Sequence, residues 1–209
     1  MAAARLMIDS DVFVLLSGAG LLDRVLTLVG FGRGMALRLD PLPHMLRRSR
    51  KFLQLCQPQT RDRALAACKT VPAVTDRPAD QLHQRLIDFR EIDGGEALLY
   101  ALLVEQPTYL LASGDKRAML TIAGAPELHD IRDCIAGRVI CLETVLRLLV
   151  MADGAVATAS AFSVFPDHKT MQVIFSEVNF SDQEKCLASL DSYLRNLKRT
   201  VGADFLYEP

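Results

Sequence analysis

The chain has no excess of either charge sign: 24 Lys and Arg stand against 25 Asp and Glu, a formal net charge of −1 over 209 residues. Nothing global marks a polyanion as partner, although a local basic strip is enough for nucleic acid. Two such strips are present, Arg47-Arg48-Ser49-Arg50-Lys51 and Lys116-Arg117. The chain also lacks any C-x-x-C pair. Its cysteines, Cys56, Cys68, Cys134, Cys141 and Cys186, are odd in number, so neither a zinc site nor a disulfide framework follows. A reducing, cytoplasmic location is the simplest account of them. No signal-peptide pattern follows the N-terminus, because Asp9 and Asp11 interrupt the first apolar run. No uncharged apolar stretch could span a membrane, and the longest candidate, Val145–Val150, carries Arg147. What the chain does have is apolar material, 50% of its residues, enough for a sizeable core in one domain with an elaboration at one end.

Met7-Ile8-Asp9-Ser10-Asp11-Val12-Phe13-Val14-Leu15-Leu16 is the densest part of that material. The run Val12–Leu16 reads as a strand covered on both faces. On a strand, Asp9 and Asp11 share a face. Buried carboxylates are costly unless paired, and a hard cation such as magnesium suits two like charges. The alternative is that both acids are turn or cap residues of the following segment.

Downstream, Ser17–Gly20 reads as a turn and Leu21–Val29 as a helix. The glycine group Gly30-Phe31-Gly32-Arg33-Gly34 reads as a helix stop, not a phosphate cradle. Met35–Leu39 is a short strand, followed by a helix from Pro43 to about Leu55, a short helix Arg61–Lys69, a loop or short strand over Val71–Asp80, and a helix Asp80–Phe89. Gly94-Gly95 turns into a buried helix opening at Glu96. A first-turn acid is favoured by the helix dipole, but that does not explain a charge heading a helix otherwise buried. Tyr109–Ala112 is a strand, and Asp115 is placed to cap the helix after it. Arg138–Cys141 forms a strand leading into the helix Leu142–Met151. Ala152–Ser163 reads as a loop, and Val164–Glu177 as holding a strand at Met171–Phe175. Ser181 with Glu184 reads as a capping box for the helix Asp182–Val201, which packs on the domain or on a partner chain. Alternating strands and helices predict an α/β fold with a mostly parallel sheet, whose ligands gather at the carboxyl ends of strands.

Three stretches together resemble the PIN domain, a metal-dependent ribonuclease fold that includes many prokaryotic toxin nucleases. Ile8–Leu15 is similar to its first-strand motif, Ile92-Asp93-Gly94-Gly95-Glu96-Ala97 to the glycine–glutamate helix start of one branch, and Leu110–Ala118 to its strand-then-acid motif. The resemblance implies a three-layer α/β/α unit over 1–150, with 151–209 as a helical C-terminal extension. It implies that Asp9, Glu96 and Asp115 are catalytic and hold magnesium or manganese, with Asp11 in the second position of the first motif. Ser113 would orient an acid or a water, and Arg47, Arg48, Lys116 and Arg117 would track RNA. The metal would activate water for phosphodiester hydrolysis of single-stranded RNA. A toxin-type nuclease would bring an antitoxin-like protein as partner, and a homodimer is compatible with the sequence. One departure stands out. The family carries a further acid on the helix after the second strand, where this chain reads Pro43-His44-Met45-Leu46-Arg47-Arg48. Asp11 or Asp93 would have to replace it. Two other readings remain open. Asp9-x-Asp11 also resembles the first motif of haloacid-dehalogenase-like phosphatases, with Asp9 as nucleophile and Ser113 at a strand end. A PIN-like fold short of one ligand could also serve as an RNA- or protein-binding module without catalysis.

Overall fold

The structure, a computed structural model, describes residues 4–176 and 181–208. Residues 1–3 of the expected nuclease-like unit, Glu177 at the end of the segment read as holding a late strand, and Pro209 at the end of the extension lie outside the described residues.

Four strands, β1 (Arg5–Ile8), β2 (Ala36–Arg38), β3 (Tyr109–Ser113) and β4 (Val139–Cys141), form one sheet in the order β2-β1-β3-β4. All pairings are parallel, with Leu6 beside both Ala36 and Leu110, and Leu111 beside Val139. Parallel neighbours need crossovers, which helices supply here. α1 (Ser10–Gly18) and α2 (Leu22–Leu28) link β1 to β2. α3 (Leu42–Arg48), α4 (Arg50–Leu55), α5 (Pro58–Thr70), α6 (Asp80–Ile87) and α7 (Gly94–Glu105) link β2 to β3. α8 (Lys116–Gly124) and α9 (His129–Ile135) lead to β4, and α10 (Leu142–Asp153), α11 (Ala155–Phe162), α12 (Lys169–Ile174) and α13 (Gln183–Val201) follow.

Side chains alternate across the sheet. Leu6, Ile8, Ala112 and Ile140 enter one core with α1, α5 and α10. Met7, Leu111, Val139 and Cys141 enter a second core with α7, α8 and α9. Helices therefore cover both faces. α13 serves both cores, through Cys186 and Leu190 on one side and Leu197 and Val201 on the other. The outer strands carry isolated parallel bridges, Arg38 with Ala73 and Val139 with Leu206. The chain leaves β1 for one edge and β3 for the other. The gap between their carboxyl ends is thus the topological switch point, where ligands of such sheets bind.

The expected α/β class and parallel sheet hold, and the helix stop at Gly30 (φ +81°) is as read. Six local expectations do not hold. Val12–Leu16 is helical, because the strand stops at Ile8 and Asp9 caps a helix whose residues are buried nearly all round. Ser17 and Gly18 belong to that helix, not to a turn. The helix from Pro43 to Leu55 is two, broken where Ser49 is extended (ψ 126°), and both Leu46 and Phe52 thereby enter one core. Ala152–Ser163 contains α11, and Met171–Phe175 falls largely in α12, where Met171 and Ile174 are buried while Val173 is 49% exposed, helical spacing rather than alternation. The cap of α13 is Asp182, which accepts from the Lys185 N–H at 3.1 Å, not Ser181.

α1 lies close to α5 and to the segment before α12 at Gly18. A Cβ there would meet Phe165 Cζ and Thr60 Cγ2 at 2.6 Å each, and both side chains are buried. Overpacking of this kind costs about 1–3 kcal/mol, more than the ~1 kcal/mol that Ala gains over Gly in a helix. Gly18→Ala is expected to lower Tm by several degrees, given roughly 2–4 °C per kcal/mol at this chain length. Thermal unfolding followed by circular dichroism checks this, and an unchanged or higher Tm would count against the packing described.

Candidate active site

Asp9 is the last link between β1 and α1. Its N–H donates to Ala112 O at 2.9 Å, tying it to β3, while its carboxylate Oδ1 accepts the Ser10 N–H at 2.6 Å. It is only 9% exposed. Burial pushes its pKa up to about 7, and the charges of Asp11 and Asp93 add to the rise, against a smaller pull from Lys51. Asp11 does not share a strand face with it. Asp11 lies in the first turn of α1, partly exposed, and pairs with Lys51 Nζ at 2.6 Å.

Glu96 heads α7 in a reciprocal cap. Its Oε2 accepts the Asp93 N–H, while Asp93 Oδ1 accepts the N–H groups of Gly95 and Glu96, all at 2.8 Å. The dipole role expected for Glu96 is therefore real, yet it is 7% exposed. Burial lifts its pKa to about 8, opposed by the Asp93 N–H and reinforced by the charges of Asp115, Asp93 and Asp9. Asp115 caps α8, accepting the Arg117 and Ala118 N–H groups at 2.7 and 3.3 Å. Burial alone would raise its pKa, but the Arg117 guanidinium, 2.8 Å from Oδ2, and these N–H donors hold it below the usual range. Mutual repulsion therefore does not lead for any of the three carboxylates. Burial is the larger cause for Asp9 and Glu96, and an ion pair reverses it for Asp115. Ser113, buried at the end of β3, accepts the Asp115 N–H at 3.3 Å and so steadies that acid's loop.

Sequence reasoning passed over four contributors. Glu143, 2% exposed, lies two residues past β4 as Asp115 lies two past β3, and it pairs with Lys116 Nζ at 2.5 Å. An acid just beyond a strand and inside an apolar helix was the available signal. Lys51 is the member of the basic strip whose charge reaches Asp9, Asp11 and Asp93. Arg47 instead donates to Pro43 O and lies within electrostatic reach of Cys68. Arg48 is exposed at the end of α3. Tyr100, one turn after Glu96 and on the same side of α7, is fully buried. Burial and the charges of Glu96 and Asp9 raise its pKa, against a smaller pull from the Ser113 hydroxyl that its own hydroxyl faces. Asp93, weighed earlier only as a replacement ligand, organises Glu96. Lys116 and Arg117, expected to track RNA, are engaged with Glu143 and Asp115.

A metal site can be tested against these groups. The donors are oxygens, and the buried Ser10 hydroxyl beside Asp9 is unpartnered. That suits magnesium, which keeps several waters and takes one or two carboxylates. Among the described residues, however, no three Asp, Glu, His or Cys side chains converge closely enough to hold an ion directly. Asp115 is turned onto Arg117, and Glu96 Oε2 onto a backbone N–H. The donor chemistry would suit a hydrated cation and does not fit a closed three-carboxylate shell. Comparisons with protein-family models, curated proteins and solved structures returned no match.

The raised carboxylates carry a pH signature. Unfolded, Asp9 and Glu96 lose their protons near 3.8 and 4.5, and folded, near 7 and 8. Between those limits the folded state holds more protons, so stability falls as pH rises. The metal-free Tm is expected to drop from roughly pH 5 to pH 8. Asp9→Asn should flatten part of that slope and raise Tm at pH 8, because an Asn oxygen still accepts the Ser10 N–H. Calorimetry across that range decides it, and a Tm that climbs with pH would show these acids to be ionised throughout.

Proposed function

We propose that this chain is a PIN-like, magnesium- or manganese-dependent ribonuclease that hydrolyses phosphodiester bonds of single-stranded RNA. The observation that carries this reading is the gathering of Asp9, Glu96, Asp115 and Glu143 at the carboxyl ends of β1, β3 and β4, around the switch point of a parallel sheet. Asp9 and Glu96 would hold the cation. When bound, it would lower the pKa of water and offset charge building on the phosphate. With a cation beside it Asp9 would be ionised, and its carboxylate could take a proton from an attacking water. The Tyr100 hydroxyl stays protonated and can donate toward an oxygen. Lys51 offers a cation to the phosphate on the open side of Asp11. An antitoxin-like partner and a homodimer belong to the same reading through the resemblance.

A second reading has its own support. Lys51, Arg117 and Lys116 neutralise Asp11, Asp115 and Glu143 from within the chain. An RNA- or protein-binding module without catalysis would tolerate that arrangement. The phosphatase alternative asks Asp11 to be a free general acid, and its ion pair with Lys51 speaks against that.

Purified protein on a mixed single-stranded RNA pool with manganese is expected to cleave slowly and to stop with chelator. Asp9→Asn and Glu96→Gln should each reduce turnover beyond the ~10–100-fold typical of groups behind a metal's ligands. Replacing Arg47 and Arg48 should weaken binding and flatten its salt dependence by roughly 0.7 in log–log slope for each lost phosphate contact. Cleavage that survives both chelator and Asp9→Asn is contamination. Retention of RNA with no cleavage at all supports the non-catalytic module.

A further inference from the structure

Asp11 also borders a cavity of about 620 Å³ outside the acid cluster. α1 and α4 form two of its walls, and the third comes from the segment ahead of α12, beyond the stretch that resembles a nuclease. That wall is well anchored. Phe165 packs at Gly18, and the His168 N–H donates to Phe165 O at 3.1 Å. The informative atom is His168 Nδ1, which is buried and without a hydrogen-bond partner in any other residue. Burial lowers the imidazole pKa, so the ring is neutral and presents one N–H and one lone pair. A buried polar atom left unpaired costs free energy unless something bound there satisfies it.

The remaining lining fits a divided ligand. Arg50 and Gln54 on α4 have no side-chain partner among the described residues, and Lys51 stands beside them with its ammonium on Asp11. Leu15 and Leu55 give the cavity an apolar surface. Two cations and an amide on α4, an unpartnered imidazole nitrogen across from them and two leucines are the kinds of group that a phosphate, a base edge and a base face would engage. The volume lies in the ~300–1,000 Å³ range of small-molecule pockets. Asp11 and Asp167 also line the cavity, but Lys51 offsets the first and water screens the second, which leaves Arg50 as the uncompensated cation among the described residues.

We infer that this cavity binds one nucleoside monophosphate unit of a single-stranded RNA, next to the phosphate presented to Asp9 and Glu96. Arg50 and Lys51 take its phosphate, and Gln54 and His168 take its base. The assignment rests on the ribonuclease reading for its place along the strand. It gives the C-terminal segment a direct role in substrate binding.

The test uses the full chain without metal, titrated with 5′-nucleoside monophosphates while the imidazole signals are followed by NMR. The His168 signals are assigned by their loss in His168→Gln. The expected result is a saturable shift at His168 and weak or no displacement by inorganic phosphate. Affinity should fall about tenfold in Arg50→Ala, the usual scale for losing a hydrogen bond to a charged group. His168→Gln should raise KM for RNA and leave kcat nearly unchanged, whereas Asp9→Asn acts on kcat. His168 signals that nucleotides do not move, equal affinity in wild type and Arg50→Ala, or an unchanged KM in His168→Gln overturn the inference even if cleavage is present. A shift at His168 in a protein that never cleaves RNA keeps the nucleotide site and removes only the catalytic reading. Displacement by inorganic phosphate as strong as by nucleotide reduces the cavity to an anion site and overturns the base contact.

Discussion

The hydrogen bond from the Ser10 N–H to the Asp9 carboxylate, 2.6 Å long and shut away from solvent, fixes where β1 stops and α1 starts. A cap of that kind is worth about 0.5–2 kcal/mol. It directs Val12–Leu16 away from the sheet plane and into the first core. The same residue donates its own N–H to Ala112, so the handover is registered against β3 as well as β1. Asp9 therefore cannot move without disturbing the central strand pair. Its carboxylate is held at the one place in the sheet where two crossovers diverge.

Such placement is electrostatically expensive, because desolvation disfavours the charged form of a carboxylate. Asp9 and Glu96 respond by keeping their protons to higher pH, and Asp115, Asp11 and Glu143 respond by recruiting Arg117, Lys51 and Lys116. The site thus divides into an inner pair of carboxyl groups without a charged partner and an outer set already paired. Nuclease and binding-module readings differ over which set matters. The nuclease reading rests on the inner pair, and the binding-module reading on the outer pairs, which form a surface of mixed sign.

Strand β3, helix α7 and helix α5 could be read from sequence because each has one local signal: a bounded apolar run, a glycine turn into an all-apolar stretch, or spaced alanines and leucine between polar faces. The first apolar run could not, since a run of five apolar residues has no period and length alone does not separate buried strand from buried helix. In Met171–Phe175 the apolar residues at alternate positions imitate a strand, and only contact with the core shows that Met171 and Ile174 are the inward pair. α11 is small-residue-rich, and the burial of Ala155, Thr158 and Phe162 decides its state where propensity does not. Within the site, Asp9, Glu96 and Asp115 were legible as acids in apolar surroundings. Lys51 and His168 were not, because the one reaches the cluster and the other the neighbouring cavity through helix breaks and loop turns that depend on distant packing. The residues that neutralise or line a site come from whichever element the core delivers to it, and sequence order gives no hint of that.

The bridges at Arg38–Ala73 and Val139–Leu206 have a consequence for how this molecule meets others. Each outer strand is three residues long, and each has part of its outward hydrogen-bonding side already taken by its own chain, as in the Tyr207 N–H donating to Val139 O at 2.8 Å. Short, occupied edges discourage recruitment of a foreign strand. A peptide partner that works by extending the sheet would find little template here. Recognition is left to helix surfaces and to the concave end where the acids gather, so selectivity must come from side chains and not from main-chain pairing.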